Sequence, residues 1–142
     1  MISTIKIEFK GKCEKTNKWV HGDLIQDINR GTCFIFPFNK QSYPEQGVKV
    51  DSDTVCQRTN AIDTDGNNLF TGDIFYVGQN DFALFKVVWF RNGFHYVAYN
   101  NEPGQWTWPL PFPTERNETP MHKVCTIFDT KKLKEVINGK HV

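Results

Sequence analysis

Residues 83–99, ALFKVVWFRNGFHYVAY, decide the fold class of this chain. Two apolar and aromatic runs, residues 83–90 and 94–99, flank the dipeptide Asn92-Gly93. Asn-Gly between such runs is a strong hairpin signal, because both residues accept the positive φ angles of a tight turn. The stretch therefore predicts two antiparallel strands joined at Asn92 and Gly93, both with positive φ. Replacing Gly93 with Val would then cost about 1 kcal/mol or more.

Other short strands are predicted on both sides of this hairpin. In residues 4–10, Ile5, Ile7 and Phe9 alternate with polar or charged residues, which predicts a half-buried strand that ends at Gly11. Apolar runs bounded by turn residues predict further strands at 19–25, 32–36, 48–50, 54–56, 72–77 and 124–128. A short helix near residues 130–138, capped by Asp129 or Thr130, follows. The pattern indicates a mainly β protein of short antiparallel strands with a short C-terminal helix.

Length and composition limit the classes of protein to which this chain can belong. The chain has 142 residues with 39% hydrophobic and 23% charged residues, which suits one domain, 1–142, with one core. No stretch approaches the roughly 20 apolar residues of a membrane helix, and the first residues lack the apolar core of a signal peptide. We therefore expect a soluble cytoplasmic protein.

Charge is distributed unevenly although the net charge is only +1. Residues 1–20 and 121–142 each carry five Lys and two acidic residues, so both ends are basic and the middle is acidic. These lysines either solvate the termini or form a nucleic-acid-binding patch, for which the candidates are Lys10, Lys12, Lys131 and Lys132. The small net charge disfavours nucleic acid as the main partner.

Residues 103–120 form a Pro/Trp-rich arm with five of the seven prolines and two of the four tryptophans. Its proline spacing predicts a long extended loop that cannot enter a sheet interior. Trp106, Trp108 and Phe112 are its candidate partner-binding residues, since exposed aromatics concentrate binding energy. The alternative is that these rings fold back and complete an undersized core.

Catalytic and metal-binding patterns are weak in this chain. The cysteines stand far apart without a C-x-x-C pair, so free thiols are expected and no zinc site is predicted. Residues 63–68, DTDGNN, resemble the start of a calcium loop but lack its Gly and final Glu, so they predict a turn. His21 and Asp23 share a strand face and could interact as imidazole and carboxylate, although an exposed polar face is the simpler interpretation.

No catalytic motif of the common hydrolases or nucleotide-binding enzymes occurs. We therefore expect no catalytic residues, no metal and no cofactor. A metal-dependent hydrolase or nuclease that gathers Asp63, Asp65 and Asp73 around magnesium remains an alternative.

Several blocks along the chain resemble the YopX family of phage and prophage proteins, and they occur in that family's order. The matching blocks are FKGK at 9–12, KWVHGDL at 18–24, TVCQRTN at 54–60, DG at 65–66, FTGDI at 70–74 and TIFD at 126–129.

The chain departs from the family pattern at three positions. Cys56 and Asn60 stand where the family usually has Gly, and Arg58 stands where it usually has an aromatic residue. Asn60 is a mild change because Asn tolerates the left-handed region. Cys56 does not suit a strained backbone, so we expect ordinary backbone there.

The resemblance implies a small SH3-like, partly open barrel encoded by a phage or prophage, without an established activity. Together with the residues, it favours a non-enzymatic protein-interaction or assembly module that binds an unidentified protein or another copy of itself. A nucleic-acid-binding barrel is the alternative.

Overall fold

The computed structural model describes residues 6–38, 47–78, 80–104, 106–110 and 120–139, with only the backbone of residues 80–82. Strands make up 54% of these described residues, so the predicted mainly β class is confirmed. The chain divides into two compact units, Met1–Arg58 and Thr59–Val142. No helix within the described ranges is long and apolar enough to cross a membrane.

The first unit is built on an antiparallel sheet around a small apolar core. Its strands are β1 (Phe9–Lys12), β2 (Trp19–Asp27), β3 (Thr32–Pro37), β4 (Val48–Val50) and the start of β5 (Cys56–Ile62). Their order in the sheet is β4-β3-β2-β1-β5. Cys33, Ile35 and Val50 form the buried core, because β3 and β4 pair and turn these side chains to one face.

The second unit contains the rest of β5 and a second antiparallel sheet. Its elements are β6 (Asn68–Phe70), β7 (Asp73–Val77), β8 (Asn80–Phe90), β9 (Gly93–Ala98), β10 (Trp108–Pro109), β11 (Met121–Thr126) and α1 (Thr130–Ile137). β6 pairs with β5, and the second sheet has the order β10-β9-β8-β7-β11. One core cluster includes Phe75, Val87 and Leu110. Another joins Ile74 to Val136 of α1.

The described strands form two antiparallel sheets and no closed barrel. The short C-terminal helix is confirmed, with the Asp129 carboxylate accepting a hydrogen bond from the Lys132 backbone N–H at 3.1 Å. Gly139 follows the helix with a φ of +77°, as a helix C-terminal glycine should. The SH3-like character and the single domain stay predictions.

The hairpin between β8 and β9 is confirmed, but the predicted turn geometry is wrong. Phe90 pairs with Gly93, so the two-residue loop consists of Arg91 and Asn92. Arg91 has a φ of +54°, whereas Asn92 and Gly93 are not in the left-handed region. The strand pairing, including the ring contact of Trp89 with Phe94 at 4.9 Å, sets this register. A Cβ on Gly93 would meet only His95 at an ordinary 3.7 Å, so the predicted cost of Gly93→Val no longer follows.

The first strand also differs from its prediction. β1 begins at Phe9, includes Gly11 instead of ending there, and leaves Ile7 exposed. Glycine suits this position of the strand, because a Cβ there would stand 2.9 Å from Cγ2 of Val50. Residues 1–5, which include Ile5, lie outside the described residues.

The turn between β5 and β6 forms as predicted from its polar cluster. The Asp63 carboxylate accepts hydrogen bonds from the backbone N–H groups of Asp65 and Asn67 at 2.9 and 2.8 Å. Gly66 supplies the positive φ, +82°. Asp63 is therefore occupied by its own turn, which is the usual role of Asp in such loops.

Candidate functional site

Trp108 of the Pro/Trp-rich arm forms the outer strand of the second sheet. It pairs with Tyr96, and their rings stack with centroids 5.4 Å apart. Phe85 meets the Trp108 ring edge-on at 6.2 Å. Trp108 is still 40% exposed, so it covers the rim of the core and presents ring surface to solvent.

Leu110 shows that part of the arm belongs to the core. Its side chain is buried with Phe75 and Val87. Its backbone N–H donates to the carbonyl of Phe94 at 3.0 Å. The predicted alternative, in which the arm completes the core, therefore applies to Leu110 and in part to Trp108.

Trp106 stands apart from this packing. Its side chain is 76% exposed and its φ is +50°, which is uncommon for a bulky residue. Nearby, the Gly104 N–H donates to the Thr107 hydroxyl at 2.9 Å. Phe112, the third partner-binding candidate, lies outside the described residues.

The sequence interpretation missed Trp89. This residue is 54% exposed and packs edge-on against Phe94. The register places Trp89 opposite Phe94 and Trp108 opposite Tyr96. Phe94 and Tyr96 are two residues apart on β9, so Trp89 and Trp108 lie on the same sheet face. Counting back from the loop predicted at Asn92 and Gly93 would have given another register, so no signal in the sequence identified this shared face. The three exposed tryptophans of the second unit, Trp89, Trp106 and Trp108, are called the aromatic surface below.

The four candidate nucleic-acid-binding lysines divide between the two units. Lys10 and Lys12 lie on β1, with their ammonium groups 4.6 and 5.4 Å from the ring centroid of Trp19. Lys10 is only 7% exposed, so it is a poor ligand for a phosphate in solvent. Lys131 and Lys132 are exposed on α1. The structure thus places two of the four on an aromatic ring and two on a solvent-facing helix.

His21 contacts a carboxylate that the sequence interpretation did not consider. Its Nδ1 lies 2.9 Å from Oε2 of Glu8. Glu8 also lies 3.4 Å from Arg58 and 3.8 Å from Lys6. The pairing of β1 with β2 brings His21 opposite Lys10 and so towards Glu8, a contact between strands that spacing within one strand cannot reveal.

The basic side chains around Glu8 affect its pKa. Partial burial alone would raise the pKa of Glu8. The hydrogen bond and charge of His21, with the charges of Lys6 and Arg58, outweigh that effect and lower the pKa below its ordinary value. Glu8 is therefore an ionised carboxylate that contacts three basic side chains.

The cysteines are free thiols, and the His122 ring makes a structural contact. All four cysteines are free thiols, as expected. Burial and the nearby Asp129 charge raise the pKa of Cys125 to about 11, which makes this thiol a poor nucleophile. His122 stacks on Tyr76 at 4.6 Å. Within the described part of the chain, no group of three His, Cys, Asp or Glu side chains could hold a metal ion.

Comparison of the chain with models of known protein families, with curated proteins and with solved structures gives no match.

Proposed function

We propose that this chain is a YopX-like phage or prophage protein that acts as a non-enzymatic protein-interaction or assembly module in the cytoplasm of its bacterial host. The aromatic surface is the binding site in this proposal. Its partner is another protein or a second copy of the chain.

Backbone conformation at the family-like blocks supports the YopX-like part of the proposal. Asn60 has a φ of +68° at a position where the family pattern has Gly, and Gly72 in the FTGDI block has a φ of +88°. Cys56 lies buried in β5 without a positive φ, so ordinary backbone suffices there. At both positions the backbone has a positive φ, which glycine adopts without steric cost.

The observation that carries the interaction role is the exposure of all three tryptophans of the second unit. Tryptophan is enriched among residues that dominate binding energy at protein interfaces. Trp89 and Trp108 are fixed by ring contacts with Phe94 and Tyr96. A rigid aromatic side chain loses little conformational entropy on binding.

The double variant Trp106→Ala with Trp108→Ala tests this role. We expect it to remain folded and to lose self-association or partner capture, because each exposed ring at an interface centre contributes roughly 2 kcal/mol or more. Sedimentation velocity measures self-association, and affinity capture from host lysate, with and without nuclease, measures partner binding.

Ile28→Ala is the matched control, since Ile28 is an exposed apolar side chain of the first unit. It should leave association unchanged. Equal association of the double variant and the unchanged protein would contradict the proposal. Loss of capture after nuclease treatment would favour the nucleic-acid alternative with Lys10, Lys12, Lys131 and Lys132.

A further inference from the structure

The hairpin loop between β8 and β9 places the dipeptide Asn92-Gly93 at the surface of the second unit. Phe90 pairs with Gly93, so Arg91 and Asn92 form the loop, and both are exposed. Within the described part of the chain, the Asn92 carboxamide makes no hydrogen bond. Its carbonyl carbon, Cγ, is therefore open to attack by a neighbouring nucleophile.

Gly93 leaves the next backbone nitrogen of the chain accessible. A side chain on the residue that follows an asparagine shields this nitrogen, and glycine has no side chain. Apart from the chain neighbours of Gly93, a Cβ built on this residue would meet only Cε1 of His95, at 3.7 Å. The space beside Gly93 is therefore open.

The strand ladder is the main protection of the Gly93 nitrogen. The Tyr99 N–H donates to the Leu84 carbonyl at 3.1 Å, and hydrogen-bonded pairs alternate along an antiparallel ladder. Phe90 and Gly93 are therefore a hydrogen-bonded pair, in which the Gly93 N–H closes the loop. They are the last pair of the hairpin, and such ends open locally at a lower free energy than the whole fold. Opening of this one pair frees the Gly93 nitrogen.

We propose that Asn92 is a site of spontaneous deamidation, through attack of the Gly93 nitrogen on Cγ of Asn92. A bond forms between the Gly93 nitrogen and Cγ, the bond between Cγ and Nδ2 breaks, and ammonia leaves with the proton of the Gly93 N–H. Water then opens the succinimide ring. Cleavage of the ring bond to Cγ gives aspartate, and cleavage of the ring bond to the main-chain carbonyl carbon gives isoaspartate. The reaction needs only water and does not depend on the proposed function.

The two products differ in their effect on the hairpin. Aspartate keeps the backbone length of the loop and adds a negative charge beside Arg91. Isoaspartate routes the backbone through the side-chain carbons and so adds one carbon to a loop of two residues. Trp89 and Phe94, whose ring centroids lie 4.9 Å apart, are the pair next to the closing pair. We therefore expect isoaspartate, but not aspartate, to alter the packing of Trp89.

Peptide mapping by mass spectrometry tests the proposal on the full chain after incubation in mildly alkaline buffer. We expect progressive conversion of Asn92 to aspartate and isoaspartate, with the isoaspartate labelled by an isoaspartate methyltransferase. Ion exchange then isolates the modified protein. Its NMR spectrum should contain a second set of amide signals at Trp89 and Phe94, which the variant Asn92→Asp lacks.

Gly93→Ala is the decisive variant, because its Cβ fits beside His95 and shields the nitrogen. It should stay folded and lose most of the conversion at Asn92. Asn92→Gln should also resist conversion, since the longer side chain closes a ring far more slowly. The chain holds a second Asn-Gly pair, residues 138–139, at the end of α1. Conversion at this second pair, measured in the same digests, should be equal in all the proteins and is the internal control.

Conversion of Asn92 in urea but not in native buffer would overturn the proposal, because the ladder would then protect the Gly93 nitrogen completely. Equal conversion in Gly93→Ala would also overturn it. Aspartate without isoaspartate would do the same, since direct hydrolysis of the carboxamide forms no succinimide. If Gly93→Ala fails to fold, the isoaspartate label at residue 92 of the unchanged protein still decides the question.

Discussion

Asp73 is a fully buried carboxylate in the FTGDI block. Its Oδ2 accepts a hydrogen bond from the Phe70 backbone N–H at 2.8 Å and lies 3.2 Å from the Lys123 ammonium. A buried acid at this position links the β6–β7 turn to β11. Sequence alone indicates only a polar residue at a strand start, because the partner from β11 lies 50 residues away along the chain.

Asp73→Ala should lower the free energy of unfolding by about 3 kcal/mol or more, since it leaves a buried N–H and an ammonium without their acceptor. Urea denaturation measures the change. Asp65→Ala is the control, because Asp65 is exposed in its turn and its loss should cost no more than about 0.5 kcal/mol. Similar values for the two variants would show that the buried contact has little energetic importance.

Arg91 carries the left-handed conformation of the hairpin loop. Arg91→Gly should raise the free energy of unfolding by up to about 1 kcal/mol, because glycine adopts this conformation without steric cost. Gly93→Ala should change it by less than about 0.5 kcal/mol, as the Cβ has room. Thermal unfolding of both variants is the measurement. A large loss at Gly93 would restore the turn predicted from the sequence.

Glu8 should contribute to the acid sensitivity of the fold. Its folded-state pKa is lowered, so its stabilisation is complete above the ordinary value of 4.5 and is lost as the pH falls through the folded value. Glu8→Gln should therefore flatten the fall in stability below about pH 4.5. Urea midpoints measured across this acid range give the slope. Parallel curves for both proteins would contradict the assignment.

At the level of elements, periodicity predicted most strands and the C-terminal helix. It failed at β1, where Gly11 lies within the strand and packs closely against Val50, a contact distant in sequence. The Pro/Trp-rich arm was predicted as extended and excluded from a sheet interior. β10 is an edge strand of two residues, which fits that expectation. The sequence could not predict which side chains of the Pro/Trp-rich arm are buried, because their burial depends on the register of β10 with β9.

Substitutions of Leu110 and Trp106 in the arm should differ in their effect on the free energy of unfolding. Leu110→Ala should lower the free energy of unfolding by about 2–4 kcal/mol, because it leaves a cavity among Phe75 and Val87. Trp106→Ala should change it by less than about 0.5 kcal/mol, since the ring is exposed. Chemical denaturation compares the two. A cost at Trp106 as large as that at Leu110 would mean that Trp106 is a core residue.

At the scale of the whole molecule, the pattern of short apolar runs predicted the mainly β class, and the two sheets agree with it. The candidate sites were harder to predict. Trp106 and Trp108 were named from their aromatic character, but Trp89 and the contact of Glu8 with His21 depend on strand pairing. The four candidate lysines were chosen from the distribution of charge along the sequence, which does not show that Lys10 is buried.

The most direct test of the interaction role is the salt dependence of partner capture or self-association in the full chain. We predict nearly constant association between low and physiological salt, abolished by Trp106→Ala with Trp108→Ala, because apolar contacts are little affected by screening. Replacement of Lys10, Lys12, Lys131 and Lys132 by Gln should leave it intact. A steep fall in binding with salt, together with loss on replacing those four lysines, would contradict the account and identify nucleic acid as the partner.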